Sequence, residues 1–150
     1  MSSVDAAAAI EHLGLRPHPE GGWFAETWRH DPGDGSRGSG TAIYFLLEAG
    51  QRSHWHTIDA VEIWHHLAGG PLALHVAESA RGPVRTLLLG PDLAAGERHQ
   101  GIVPADAWQA AEPLGSAVLV SCTVSPAFSF EGFALARPGW EPGAGDPFAT

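Results

Sequence analysis

A chain of 150 residues with 44% hydrophobic content is long enough to bury one substantial core and short for two domains. Its formal net charge of −9, with only 8 Lys and Arg, argues against a nucleic-acid or anionic-membrane partner, and no stretch approaches the roughly 18 apolar residues needed to span a bilayer. The first residues show no secretion signal and Cys122 is alone, which excludes an internal disulfide and fits a cytoplasmic protein with a buried, inert thiol.

Asp5 can cap the Ala-rich run from Ala6 to Leu13, and Gly14 stands where a helix ends. Two prolines and a glycine pair in Arg16 to Gly22 then forbid regular structure. Strands are predicted over Trp23–Arg29, Thr41–Glu48, Ser53–His56, Ala60–Leu67, Leu72–Glu78, Val84–Leu89, His99–Val103, Trp108–Ala111, Ala117–Val124 and Phe128–Leu135. Between the first two, Asp31 to Gly40 reads as an exposed loop. Gly 19 and Pro 12 make up about a fifth of the chain and punctuate short strands, the pattern of an all-β sandwich or barrel. The domain is expected to comprise a helix at 1–14, a barrel at 15–137 and a loose tail at 138–150.

The chemistry concentrates between Gly50 and Gly69. Residues two apart in a strand share a face, so His54 and His56 are expected to project together. A turn over Thr57 to Asp59 would bring Glu62 to the same point. Two imidazoles and a carboxylate form an incomplete shell for a divalent transition metal, with positions left for water or substrate; two hydrogen-bonded histidines beside a turn is the plainer alternative.

Gly50, His54, His56, Glu62 and Gly69 follow the layout of the first cupin motif, and Pro104, Asp106 and Gln109 stand where the second motif has its proline, glycine and last histidine. The blocks PHPEGGWFAETWR, TAIYFLL, EIWHHLAGGPLAL, VPADAWQAA and SCTVSPAFSFEGFAL resemble, in order, a branch of small single-domain cupins. The resemblance runs from about Leu13 to Leu135. It implies an all-β fold: one cupin jelly-roll barrel, a double-stranded β-helix, with a short N-terminal helix. It also implies a metal set of His54, His56, Glu62 and Gln109 holding Fe, Mn, Ni or Zn, and a homodimer paired through exposed strand edges.

Further residues have two readings each. Glu26 and Arg29 would contact a polar substrate or form a salt bridge. Trp64 and His66 alternate with Glu62, so Trp64 would line the pocket or pack in the core, and His66 would serve as an acid or base. His75, between two alanines, would line a cavity or be structural. Tyr44 would be a proton donor, as phenols are in related epimerases, if its strand faces inward. His12, His18, His30 and His99 read as surface residues. Three functions follow: a metal-assisted isomerase, lyase or oxygenase; a metal-free isomerase resembling the deoxysugar 3,5-epimerases, with His56 or His66 as base and Tyr44 or Glu62 as acid; and a non-catalytic module for a small ligand.

Overall fold

The computed structural model describes residues 3–149. The first element, α1 (Ala6–Leu13), forms as its ends dictate. The Asp5 side chain accepts the Ala8 N–H at 3.0 Å, and Gly14, at φ 67°, closes the C-terminus with its N–H on the Ile10 carbonyl.

Eleven strands follow: β1 (Arg16–Pro17), β2 (Trp23–Arg29), β3 (Thr41–Leu47), β4 (Ser53–Ile58), β5 (Val61–Gly69), β6 (Leu72–Ala77), β7 (Arg85–Leu89), β8 (Gln100–Val103), β9 (Trp108–Pro113), β10 (Val118–Ser125) and β11 (Phe133–Leu135). They build two antiparallel sheets ordered β1-β2-β3-β10-β5-β8 and β11-β4-β9-β6-β7, a jelly-roll sandwich. The expected all-β barrel with a short N-terminal helix is therefore what forms.

Alternation along the strands fills the space between the sheets. Phe45, Leu47, Trp64, Leu72, Leu74, Val76, Leu89, Val118 and Val120 pack one end into a solid core. At the other end, β2, β4 and β10 finish while β3 and β5 begin, and the interior is less densely filled.

Two segments depart from the expected pattern. Only Phe133–Leu135 of the last predicted strand pairs; before it the chain makes a loop and a 3-10 turn at Phe130–Gly132. That loop is tied down by other elements: Phe128 N–H to Thr41 Oγ1, the Phe128 carbonyl to Arg29 and the Ala127 carbonyl to Arg37. The tail, expected to be loose, is docked. Trp140 is 1% exposed and packs on Trp55 and Trp108. The Arg137 guanidinium, meanwhile, donates to the carbonyls of Ala144 and Asp146.

Candidate functional site

The site begins with the turn between β1 and β2. His18 N–H bonds the Gly22 carbonyl and Gly21 N–H the His18 carbonyl, closing a tight loop around Pro19 and Glu20. Gly21 (φ 110°) and Gly22 (φ 75°) occupy conformations that L side chains avoid. A Cβ on Gly21 would meet the Arg52 carbonyl oxygen, and one on Gly22 would come within 2.8 Å of the Leu46 carbonyl oxygen. The turn therefore lies flat against β3 and the start of β4, and His54 N–H bonds the Glu20 carbonyl at 2.7 Å. The result is that Glu20 is buried between the sheets and the His18 side chain is only 6% exposed.

Strand β4 supplies the next group through a bulge. Ser53 pairs with Ala111 and His56 with Gln109, so three steps on β4 match two on β9. The extra residue breaks alternation. Ser53 and His56 are both buried, with His56 turned inward to Glu20, while Trp55 packs outward beneath Trp140. His54 is also turned away from that point, its Nε2 donating to the Arg137 carbonyl at 2.9 Å. The expectation that His54 and His56 share a face fails at this bulge.

Within the interior, His56 Nδ1 donates to the His54 carbonyl at 2.7 Å and Nε2 lies 2.9 Å from Glu20 Oε2. The latter approach falls outside hydrogen-bond geometry, so it is an ionic contact. Burial alone would lower the His56 pKa, but the Glu20 carboxylate and then the Glu62 charge more than offset it and raise the value, which favours the charged form of the ring. Burial raises Glu20 in turn, yet the adjacent His56 wins and holds it ionised, below the usual carboxylate range. His18 is lowered, chiefly by burial, and its Nδ1 accepts the Glu20 N–H at 3.1 Å, which fixes the neutral ring with hydrogen on Nε2.

Glu62, at the start of β5, is 5% exposed, and its Oε1 has no hydrogen-bond partner. Burial, reinforced by the Glu20 charge, pushes its pKa up to about 7; His56, Gln109 and Trp64 pull weakly the other way. Glu62 opens on a cavity of about 60 Å³, lined also by His18, Glu20, Thr41, Cys122 and a wall of Phe24, Ile43, Ile58, Val124, Phe128 and Phe130. Glu26 and Arg29 stand at its rim. Both Arg29 Nε and Nη2 donate to the Glu26 carboxylate at 2.8 Å, and Nη1 donates to the Phe128 carbonyl, so this pair joins β2 to the loop.

Of the other expected site residues, Trp64 is core. Its indole donates to Gln109 Oε1 at 2.9 Å and its ring meets Phe45 edge-on at 5.7 Å. His66 lies beyond Trp64 along β5, outside the cavity lining, and donates to the Gly70 carbonyl. Tyr44 alternates with the inward Ile43 and Phe45 and so faces out. His75 also faces out, between Thr86 and Glu112. His18, read as a surface residue, lines the cavity instead. Sequence reading passed over His18, Glu20 and Thr41; the one available signal was two ionisable residues fixed between prolines and a glycine pair.

The donor set does not fit a divalent transition metal. His54 is turned to the tail, His56 Nδ1 and the Gln109 oxygen are engaged in hydrogen bonds, His56 Nε2 lies against the Glu20 carboxylate, and among the described residues no group of three His, Cys, Asp or Glu converges. What the arrangement offers is a buried Glu20–His56 ionic contact beside a carboxyl that titrates near neutrality in an apolar cavity.

Comparison with known proteins adds the following. The family described as "Cupin superfamily (DUF985)" matches residues 7–136. Among solved structures, protein SO0799 from Shewanella oneidensis is 39% identical over 90% of this chain and 85% of its own, with a TM-score of 0.79. A hypothetical protein from Leishmania major is 34% identical over 86% of this chain and 85% of its own, with a TM-score of 0.76. Oxalate decarboxylase from Bacillus subtilis shares the fold alone, at 15% identity over 82% of this chain and 30% of its own, with a TM-score of 0.59. No curated protein matches.

Proposed function

The chain belongs to the DUF985 family of the cupin superfamily, and on that premise we propose that it is a metal-free isomerase that moves a proton next to the carbonyl of a small molecule. The observation that carries this reading is Glu62: buried, with an oxygen lacking any partner, open to the cavity and titrating at about 7. A group that changes charge near the working pH is the most effective proton carrier. Glu20, which also lines the cavity, and His56 set the field around it. The phenyl and aliphatic wall excludes water, which strengthens every charge inside. The likeness in fold between this branch and the deoxysugar epimerases is in keeping with the same reaction type, with Glu62 taking the role first divided among His56, His66, Tyr44 and Glu62.

The test uses hydroxyacetone as probe, following exchange of its α-hydrogens in D2O by proton NMR. Exchange is expected to rise with pH through about 7, to fall roughly 100-fold in Glu62→Gln, and to survive dialysis against EDTA. Exchange that disappears on dialysis and returns with a divalent metal would restore the metal-assisted reading. We also take the chain to act as a homodimer; exposed Trp28, Val61, Leu67 and Ile102, all on strands of the β2–β8 sheet, support this.

A further inference from the structure

We propose that Thr41 is a second catalytic residue of this cavity, its hydroxyl donating a hydrogen bond to the ligand carbonyl oxygen while Glu62 handles the proton. This rests on the proton-transfer reading above and adds the electrophile that reading lacks.

The position follows from strand register. Val124 of β10 is paired with Thr41 of β3 on one side and with Glu62 of β5 on the other. Thr41, Val124 and Glu62 therefore form one transverse row, with the outer Cα atoms about 10 Å apart across two strand spacings. All three line the cavity, so the hydroxyl and the carboxyl reach into it from neighbouring strands. A carbonyl group and its adjacent carbon lying over Val124 would face both.

The chemistry of the hydroxyl points the same way. Thr41 is 1% exposed, and its Oγ1 accepts the Phe128 N–H at 3.1 Å, which fixes where the oxygen sits. The hydroxyl proton meets no acceptor among the described residues. A buried donor held in place and left unused is what stabilises developing negative charge on an oxygen. In the reaction, Glu62 takes the α C–H proton, that C–H electron pair becomes the new C=C bond, and the carbonyl π pair moves to the oxygen held by Thr41. Return of the proton from Glu62 to carbon reverses the electron flow, so no oxidant, reductant or co-reactant is required.

His18 is the rival donor, since its Nε2 carries hydrogen at the same cavity. Its ring, however, packs edge-on against Phe24 at 4.6 Å and against Phe45 and Phe133 at 5.9 and 6.0 Å, which holds it in the aromatic wall.

The experiment uses hydroxyacetone labelled with carbon-13 at the carbonyl and compares the native protein with Thr41→Val, Thr41→Ser, His18→Phe and Glu62→Gln. The bound carbonyl resonance is expected to move downfield in native protein, Thr41→Ser and Glu62→Gln, and to lose that shift in Thr41→Val. α-Hydrogen exchange should fall roughly 100-fold in Thr41→Val and recover in Thr41→Ser, which also restores the acceptor for Phe128 and so separates donation from loop anchoring. Unchanged shift and exchange in Thr41→Val, loss of the shift in His18→Phe alone, or no shifted resonance with native protein would each overturn the assignment. Exchange that ignores Glu62→Gln while the Thr41-dependent shift persists would sink the proton-transfer reading and leave the Thr41 contact standing.

Discussion

Replacing Glu62 with glutamine preserves the shape of the side chain and removes its charge, so it isolates what burying that charge costs. In the unfolded chain the carboxyl returns to its ordinary value of 4.5, whereas in the fold it titrates at about 7. Below 4.5 both states hold the proton and burial carries no electrostatic penalty. Between the two values the unfolded chain releases its proton while the native one keeps it, so stability falls as pH rises. Above about 7 the native group ionises and the penalty levels off. The full gap corresponds to about 3 kcal/mol, and about 2.5 kcal/mol of it accrues from about pH 5 to about pH 8.5. Urea denaturation of native protein and Glu62→Gln at both pH values measures it directly. The variant is expected to gain on the native protein by about that amount as pH rises, the titrating groups outside the Glu20–His56–Glu62 cluster being common to both. Parallel stability curves, with no divergence between about pH 5 and about pH 8.5, would refute the burial of this carboxyl with an unpartnered oxygen.

Gly21→Ala should destabilise the protein by more than about 2 kcal/mol, because the residue sits at φ 110° with the Arg52 carbonyl in the way of any Cβ; an unchanged melting temperature would contradict it. Trp140→Ala removes a side chain buried against Trp55 and Trp108 and should cost about 3 to 5 kcal/mol. Limited proteolysis after residue 137 would then report release of the tail, and continued protection would argue against docking. Light scattering at micromolar concentration should give about twice the chain mass of 15.8 kDa; a monomer there would remove the homodimer.

Much of the fold was legible because local signals and tertiary structure agree. Asp5 and Gly14 bound the helix, and Trp23–Arg29 is both an aromatic run and a strand. Turn residues separate most of the rest. The interior was legible only in part. Alternation put Glu62 and Trp64 on one face, and both are buried, but alternation presumes an unbroken register and the bulge in β4 breaks it. It likewise leaves open which face is the inner one, so Tyr44 and His75 were candidates until pairing turned them outward. His18 and Glu20 escaped for a different reason. Proline and glycine mark a turn as irregular without saying which way it folds, and this one folds into the barrel. The tail was misread because a single buried Trp140 outweighs its glycines and prolines.

The single extra residue in β4 also has a bearing on how such chains diverge. Because residues two apart share a face only in an unbroken strand, a strand without the extra residue would present both histidines of the same HxH spelling on one face, whereas here only His56 turns inward. The same pair of histidines can thus line an interior together or singly, according to strand length alone.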